Sequence, residues 1–273
     1  MALDIDGTLL SSDKGISSRT RAAVAAARRR GVQLVLVTGR RYPAARRVAE
    51  DLGGEIPLVL HNGALIVEGG GVLRCRPLPR EAAMRAVRIG RERGADAVIH
   101  AGQHGEGRLF VERVPPGNTL LAYYLERSQP DVLTLHDLLE WLEASEDPLQ
   151  VMFGGTREAM DALWPALASG LGTAARIERT TYPRQGVGIV DVLHPDVGKA
   201  EALAFLQRRL RLGAEETLAI GDNWNDHEML ERAGLGLVMG NADPDMLGLG
   251  LPVLPTNDDE GVAVAVERYI LGR

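Results

Sequence analysis

The chain has 273 residues, of which 45% are apolar and 25% charged, and its net charge of −6 and pI of about 5.6 argue against a general nucleic-acid-binding protein. No run of about 18 apolar residues indicates a membrane span, and no basic segment followed by an apolar run indicates an export signal. The single cysteine, Cys75, cannot form an internal disulfide, so the sequence predicts a soluble protein of the reducing cytoplasm. The length of the chain favours two domains or one large domain.

Strands and helices alternate over the first 78 residues. Met1–Leu3 is apolar but shorter than an average strand, so we expect either a truncated first strand or a start codon upstream. The apolar run 32–37, interrupted only by Gln33, is typical of a strand covered on both faces. The other predicted elements here are a helix over 18–30 capped by Ser17 or Ser18, a helix from Pro43 to Gly53, a strand over 56–60 and a hairpin of 64–67 with 72–75.

From about Pro79 the pattern changes to helices mixed with short, partly alternating strands, which is typical of an α+β unit. Trp141 and Trp164 lie in this part, and we expect both to be core anchors. The predicted elements are helices over 79–93, 119–127, 136–144 and 157–168, and strands over 97–100, 109–112, 149–153, 174–181 and 187–193.

The alternation of strands and helices resumes after Leu193. The predicted elements are a helix over 199–212, a strand over 217–220, a helix that ends at 232, a strand over 235–239 and a closing helix over 262–270. The whole pattern predicts an α/β fold. A Rossmann-like, doubly wound parallel sheet is formed by residues 1–78 and 190–273, and an α+β domain of residues 79–189 is inserted into it.

Four polar clusters follow predicted strands or open a helix, and the first is Asp4-Ile5-Asp6-Gly7-Thr8. Two carboxylates two residues apart leave a strand toward the same side, and Gly7 permits a tight turn. Because close like charges raise one of the two pKa values, one carboxylate can attack while the other holds a proton. The same segment also fits an acidic turn on a solvated loop.

The second and third clusters supply an anion site and a cation. Thr38-Gly39-Arg40 follows a buried strand, where a hydroxyl and free backbone amides bind anions, although Thr-Gly turns are also ordinary. Lys199 opens a helix, where its charge opposes the macrodipole, so helix stability does not explain it. Among 31 basic residues only Lys14 and Lys199 are lysines, which favours a site that needs a compact ammonium.

The fourth cluster is Gly221-Asp222-x-x-Asn225-Asp226, at the end of an apolar strand. Carboxylates here are hard oxygen ligands of the kind that Mg²⁺ takes, and an Asp/Asn-rich helix cap is the alternative. Together the clusters supply a nucleophile, an acid, a hydroxyl, a cation and a metal site. Phosphoryl transfer needs this set, because positioning and charge stabilise its loose transition state.

In their order along the chain and in their residues, these four motifs resemble those of the haloacid dehalogenase-like hydrolases. Three further segments, Asn62-Gly63-Ala64, Met239-Gly240-Asn241-Ala242 and Thr256-Asn257-Asp258-x-x-Gly261-Val262, are similar to the Cof-type branch, which carries a IIB cap. The approach to the lysine departs from the branch pattern at His194–Gly198, and Ala200 replaces a usual glycine. The resemblance implies that residues 79–189 are a cap that determines substrate specificity.

The resemblance also implies the roles of the residues in a Mg²⁺-dependent phosphatase that acts on small phosphorylated metabolites such as sugar phosphates, nucleotides or cofactor phosphates. Asp4 is expected to be the aspartyl-phosphate nucleophile, Asp6 the general acid and then base, and Lys199 the residue that steadies both charges. The resemblance further implies Thr38 and Gly39 for the phosphate, and Asp4, Asp6 and Asp222 for the metal with Asn225 and Asp226 in support. Beyond the resemblance, we expect Asn225 to bind the phosphate as well, and Arg40, Asn62 and Arg184 to contact the substrate.

Two hypotheses concern the cap. Tyr182 and Arg184 are expected to form part of the surface that determines substrate specificity. Phe110 is considered for the same surface, but its size and apolarity favour a packing role. Two other functions remain open at this stage. A phosphotransferase or phosphomutase would return the phosphoryl group to another hydroxyl, and a non-catalytic regulatory protein would only bind Mg²⁺ and phosphate. Free phosphate released without an added acceptor argues against the first. Against the second, a regulatory domain of the receiver type needs only about half this chain and no acid at the position of Asp6, and turnover that is intact in Asp4→Asn would show that Asp4 is not the nucleophile.

Overall fold

The short apolar segments of the sequence form the strands of two sheets. The computed structural model describes residues 1–113, 117–182 and 185–273, and within these ranges one sheet has seven strands and the other six. In chain order the strands are β1 (Ala2–Leu3), β2 (Val35–Val37), β3 (Leu58–Leu60), β4 (Leu65–Glu68), β5 (Gly71–Cys75), β6 (Ala97–Ala101), β7 (Arg108–Val111), β8 (Val132–Thr134), β9 (Gln150–Thr156), β10 (Arg176–Tyr182), β11 (Val187–Leu193), β12 (Leu218–Gly221) and β13 (Leu235–Val238).

The helices begin close to the predicted caps. Ser17 accepts a hydrogen bond from the backbone N–H of Thr20 at 3.0 Å and so caps the first helix, as predicted. In chain order the helices are α1 (Ser18–Arg29), α2 (Tyr42–Asp51), α3 (Arg80–Glu92), α4 (Thr119–Glu126), α5 (Leu138–Ala144), α6 (Arg157–Leu171), α7 (Lys199–Leu210), α8 (His227–Arg232), α9 (Pro244–Leu247) and α10 (Gly261–Val266), which a π-helical turn (Glu267–Leu271) extends.

The chain divides into two units. The first combines Met1–Leu73 with Gly198–Arg273, and the second is Arg74–Val197. The second unit is longer at both ends than the segment 79–189 expected for it. The additional residues pack with it because Leu78 and Val192 are buried in its own core.

The first unit contains the seven-stranded sheet in the order β13-β12-β1-β2-β3-β4-β5, except for the last two residues of β5. The pairs from β13 to β3 are parallel, and β4 is antiparallel to β3. The central strand β1 is only two residues long, yet it is paired on both sides, since Ala2 lies beside Val35 and Ala219. The mixed α/β architecture with a parallel core confirms the predicted fold class.

The second unit contains the six-stranded sheet in the order β10-β11-β9-β6-β7-β8. Alternate residues of its strands face opposite sides. Ile99 and Phe153 belong to a core that also contains residues of α3, α5 and α6, whereas Val98 and Met152 belong to a smaller core with residues of α4.

The aromatic residues of the second unit partly contradict the expectation from sequence. Trp141 is partly buried and stacks on Phe110 with ring centroids 4.1 Å apart, so Phe110 has a packing role. Trp164 is 41% exposed and is not a core anchor. It lies beside the buried stripe of α6 that begins with Met160 and Leu163, because the helical period turns its position toward the solvent.

Two short elements were not predicted, β8 and α9. β8 is a largely exposed edge strand that pairs with β7 in parallel, so it lacks the apolar alternation by which strands are recognised. α9 has only four residues, too few for a helical period. None of the helices in the described ranges has the length and apolarity that a bilayer-spanning segment requires.

Candidate active site

The predicted site residues of the first unit lie at one edge of its sheet. The parallel strands β1, β2, β3 and β12 all end at this edge, and the chain continues from them into Asp4, Thr38, His61 and Asp222. Because ligands bind outside the carboxyl ends of parallel strands, the topology brings together motifs that are up to about 200 residues apart in sequence.

Lys199 lies between two carboxylates at the beginning of α7. Its Nζ donates to Asp4 Oδ1 at 2.7 Å and to Asp226 Oδ1 at 2.6 Å. The Lys199 side chain is 1% exposed, and both acids are buried. A buried ammonium needs such partners, because an unpaired charge in a protein interior is costly.

The loop after β12 is shaped around Asp226. Its Oδ2 accepts hydrogen bonds from the backbone N–H groups of Asp222 at 3.2 Å and Asn223 at 3.1 Å. Asp226 therefore fixes the turn that carries Asp222 while its other oxygen receives Lys199. This agrees with a supporting position for Asp226 rather than one that faces a ligand directly.

Asp222 packs against the turn after β1. Its Oδ1 accepts a hydrogen bond from the Thr8 hydroxyl at 2.8 Å, and both residues are buried. Gly7 has φ +82°, and a Cβ at this position would lie 2.3 Å from Asp222 Oδ2. The turn therefore requires glycine, both for its left-handed backbone and for the approach of the carboxylate.

The cluster carries more negative than positive charge. Asp4, Asp222 and Asp226 each place a carboxylate oxygen within 4.8 Å of the others, and Lys199 is the cation bonded among them. Burial, together with Asp226 and Asp6, outweighs Lys199 and raises the pKa of Asp4 to about 7. Burial and the neighbouring carboxylates likewise raise the pKa of Asp222 well above its usual value.

These carboxylates fit a divalent cation. Three buried carboxylates against one ammonium leave an excess of two negative charges when all are ionised, and hard oxygen donors are the ligands that Mg²⁺ prefers. The ammonium itself stays charged, because the carboxylates outweigh the opposing effect of burial and raise the pKa of Lys199. The donor set is therefore suited to a cation that would supply the missing positive charge.

The phosphate-site candidates form a second group at the same edge. The Thr38 hydroxyl accepts a hydrogen bond from the Arg40 N–H at 3.1 Å, and the N–H of Asn62 donates to the Thr38 carbonyl at 3.0 Å. Asn225 Nδ2 donates to Asn62 Oδ1 at 3.0 Å. A Cβ on Gly39 would lie 3.2 Å from that same oxygen.

One polar atom of this group stands out because it is buried and lacks a hydrogen-bond partner in the described part of the chain. Among the described residues, nothing hydrogen-bonds to the buried Oδ1 of Asn225. Since buried polar atoms are nearly always hydrogen-bonded, the orphaned oxygen fits a site that is completed by a ligand or a hydrated ion.

Arg40, one of the predicted substrate residues, contacts Asp6. Its Nε donates to Asp6 Oδ2 at 2.6 Å and a terminal nitrogen donates to Oδ1 at 2.7 Å, a bidentate pair. Lys14 Nζ adds a third donor to Asp6 Oδ1 at 3.2 Å. Burial opposes ionisation of Asp6, but these cations outweigh it and hold the pKa of Asp6 below its usual range.

Residues near the carboxy terminus brace the loop 4–15 that carries both aspartates. Asn241 Nδ2 donates to the Gly7 carbonyl at 2.7 Å, and Asn257 Nδ2 donates to the Leu10 carbonyl at 2.8 Å. Sequence reasoning found Asn241 and Asn257 only as branch motifs and gave Thr8 no role. The position of Thr8 inside the first motif was the available signal.

The cap candidates are less informative. Arg184 lies outside the described residues. Tyr182 ends β10 and pairs in register with Val187 at the start of β11, and its side chain is partly buried. Phe110 packs within the core of the second unit.

Comparison with known proteins agrees with this architecture. The family model for haloacid dehalogenase-like hydrolases matches residues 1–266. The chain is 29% identical to phosphatase YwpJ of Bacillus subtilis, over 96% of each chain. It is also 29% identical to the HMP-PP phosphatase of Cronobacter sakazakii, over 93% of this chain and 88% of that one.

A solved structure shows the same fold. The crystal structure of a haloacid dehalogenase-like hydrolase from Bacteroides thetaiotaomicron superposes with a TM-score of 0.79 at 25% sequence identity, covering 98% of this chain and 97% of that one. The match of the family model over nearly the whole chain, on a fold with its motifs at one sheet edge, identifies the chain as a member of the haloacid dehalogenase-like hydrolase family.

Proposed function

We propose that this hydrolase is a Mg²⁺-dependent phosphatase that removes phosphoryl groups from small metabolites through an aspartyl-phosphate intermediate. The observation that carries the proposal is the buried group of Asp4, Lys199 and Asp222 at the sheet edge. It combines a carboxylate nucleophile with a fixed ammonium and with further carboxylates for a cation. The names of the two relatives, both phosphatases, support the same reaction class.

In the first half-reaction a carboxylate oxygen of Asp4 attacks phosphorus, and the bond from phosphorus to the leaving oxygen breaks. Asp6 gives a proton to that oxygen, so that the substrate alcohol departs neutral. Lys199 holds the Asp4 carboxylate through its 2.7 Å hydrogen bond and balances charge on the transferring group. The substrate's own negative charge next to Asp6 favours the protonated form that this step needs.

In the second half-reaction the Asp6 carboxylate takes a proton from water, and the water oxygen attacks phosphorus. The bond from phosphorus to the Asp4 oxygen breaks, which releases inorganic phosphate and restores the Asp4 carboxylate. The bidentate contact from Arg40 orients Asp6 for this basic role. Thr38, Gly39 and Asn225 bind the phosphoryl oxygens in both steps.

Mg²⁺ would be held by Asp4, Asp222 and the backbone carbonyl of Asp6, with Asp226 in support, and it would neutralise charge on the phosphoryl oxygens. The raised pKa of Asp4 and the orphaned oxygen of Asn225 are the observations that favour a cation and its hydration shell at this place.

The second unit, Arg74–Val197, would act as the cap that selects the substrate and excludes water. The proposed substrates are phosphorylated sugars, nucleotides or cofactors. Because one of the relatives is named an HMP-PP phosphatase, HMP-PP is one of the first compounds to test.

The test is a phosphate-release screen over such metabolites, with Mg²⁺ and with EDTA, on the wild type and on Asp4→Asn. We expect release that requires Mg²⁺ and that is lost in the variant by at least a thousandfold, because the nucleophile is removed. A matched control is Asp196→Asn, an exposed acid of the second unit.

Three outcomes would contradict the proposal. Turnover that survives in Asp4→Asn would exclude a covalent mechanism on this residue. Consumption of the ester only when an acceptor alcohol is added, with the phosphoryl group recovered on the acceptor and not as inorganic phosphate, would identify a phosphotransferase. Mg²⁺ and phosphate binding without turnover of any ester would identify a regulatory protein.

A further inference from the structure

Lys14 is a cation that the proposed mechanism does not use. Its Nζ lies 3.2 Å from Asp6 Oδ1, and its side chain is 56% exposed. Arg40 already contacts both oxygens of Asp6, at 2.6 and 2.7 Å, so the charge of Asp6 is balanced without Lys14. Asp6, Arg40 and Lys14 together therefore carry one positive charge in excess.

The two halves of the site thus differ in charge. The group of Asp4, Asp222, Asp226 and Lys199 has an excess of negative charge, which suits a metal cation. The neighbouring group with Lys14 has an excess of positive charge and is partly open to solvent, which suits an anion.

The loop that carries Lys14 is held firmly. Ser12 donates from its backbone N–H and its hydroxyl to the two carboxylate oxygens of Asp258, each at 2.7 Å. Ser11 and Gly15 close the tip with a 3.0 Å hydrogen bond from the Ser11 N–H to the Gly15 carbonyl. These contacts hold the backbone on both sides of Lys14.

The backbone at Lys14 is itself unusual. Its φ is +62°, in the left-handed region, where a residue with a Cβ is disfavoured and glycine or asparagine would be expected. Lysine gives no advantage to such a turn, so the side chain is the part that the loop presents.

The rarity of lysine adds a separate argument. Lys14 and Lys199 are the two lysines among 31 basic residues of the sequence, and each bonds to one of the two aspartates of the first motif. Lysine offers three donors on a compact charge, whereas arginine offers a planar fork. A lysine with one bond to Asp6 keeps donors that a second acceptor can use.

Asp6 sets the position of Lys14 relative to a substrate. This step rests on the proposed function, in which Asp6 hydrogen-bonds the leaving oxygen. An ammonium that bonds to the same carboxylate then lies next to the leaving group and not behind the phosphoryl group. We propose that Lys14 binds a second anionic group, a carboxylate or a phosphate, attached within two bonds of the leaving oxygen of the substrate.

An ammonium at this place makes the protein selective for phosphate esters whose leaving group carries a further negative charge. Two matched substrate pairs test it, and in both pairs each compound loses an alcohol: 2-phospholactate against isopropyl phosphate, which differ by a carboxylate in place of a methyl group, and phosphonomethyl phosphate against ethyl phosphate, which differ by a phosphonate in place of a methyl group. The phosphonate stands in for a phosphate at the same distance from the leaving oxygen. The quantity measured is the ratio of kcat/KM within each pair, because any effect of Lys14 on Asp6 itself cancels in the ratio.

We expect the wild type to prefer the anionic member of at least one pair by about tenfold, the lower limit of what a hydrogen bond to a charged group contributes. Lys14→Met should bring that ratio close to one, and Lys14→Arg should restore only part of it, because a planar guanidinium replaces the compact ammonium. Arg209→Met is the control, since Arg209 is also an exposed base of the first unit, paired with Glu68 at 3.0 Å, at the far end of α7. The pair that responds identifies the anion as carboxylate or phosphate.

A ratio that is near one in the wild type for both pairs, or that is unchanged in Lys14→Met, overturns the proposal. Binding keeps the test valid if turnover fails. The dissociation constants of the same compounds for Mg²⁺-loaded Asp4→Asn, with and without Lys14→Met, should show the same ratios by calorimetry. If no compound is turned over but the dissociation constants still favour the anionic compounds only when Lys14 is present, the phosphatase proposal is refuted and the anion site is not. If the ratios of dissociation constants are near one, or do not change in Lys14→Met, the anion site alone is refuted.

Discussion

Replacing Asp4 by asparagine is expected to abolish turnover and yet stabilise the metal-free protein. Asp4 is buried with two other carboxylates and one ammonium, and its pKa is raised from 3.8 to about 7. A group whose pKa is raised on folding stabilises the fold fully below its unfolded pKa and loses this contribution as the pH rises through the folded pKa. Wild-type stability in EDTA should therefore fall between pH 4 and pH 7.

The magnitude follows from the same pKa values. A rise from 3.8 to about 7 corresponds to roughly 4 kcal/mol against the ionised form at pH 8. This figure already includes the attraction of Lys199 for the ionised carboxylate, so no separate cost for the Lys199 hydrogen bond is subtracted. The expectation is that Asp4→Asn is more stable than the wild type at pH 8 by up to roughly 4 kcal/mol.

The assay is thermal unfolding in EDTA at pH 4, 6 and 8, followed by the same series with Mg²⁺. We expect Asp4→Asn to unfold about 2–4 °C higher per kcal/mol at pH 8, with little difference at pH 4. Saturating Mg²⁺ should reduce or reverse the difference, because the wild type gains the stabilisation of a bound ligand. Asp196→Asn, 70% exposed as a side chain, should change little. A variant that is less stable than the wild type at pH 8 in EDTA would refute the reasoning.

Three further predictions concern the same edge of the sheet. Lys199→Arg should lower kcat at least a hundredfold in a phosphate-release assay, because a planar guanidinium cannot replace an ammonium held at 2.7 and 2.6 Å in a 1% exposed position; an activity within threefold of wild type would contradict this. Gly7→Ala should lower the free energy of unfolding, measured in urea, by about 2–4 kcal/mol, because the added Cβ would lie 2.3 Å from Asp222. Gly54 is the control: it has φ +68° but open space around it, so Gly54→Ala should lower the free energy of unfolding by only about 1 kcal/mol. Equal losses in the two variants would show that the backbone angle φ alone matters. EDTA should abolish turnover and added Mg²⁺ restore it, and activity that persists after dialysis against EDTA would exclude a metal requirement.

The sequence predicts the fold well where apolar runs end in polar clusters. Val35–Val37 is buried on both faces and is followed by Thr38, and Leu218–Gly221 is followed by Asp222, as expected for parallel strands. The pattern is strong because a strand covered on both faces must be apolar throughout. Where a strand is exposed at an edge, as in Val132–Thr134, the pattern is absent and the element was missed.

Domain bounds and side-chain partners were harder to predict. Leu78 belongs to the core of the second unit, although the sequence around it fits the end of the first unit equally well. Trp164 has the composition of a core residue, but its position on α6 turns it toward solvent. Both depend on which neighbours the fold supplies, and no local pattern encodes those.

By itself the sequence determined the chemistry available to this protein. It has two aspartates in a glycine-containing turn after an apolar strand, a rare lysine at the start of a helix, and acids after a buried strand. These follow from residue type and spacing, which are local properties. Only the tertiary structure decided how the charges pair, with Lys199 between Asp4 and Asp226 and with Arg40 and Lys14 on Asp6. Ion pairing depends on distances of a few ångströms and on burial, and packing alone sets both.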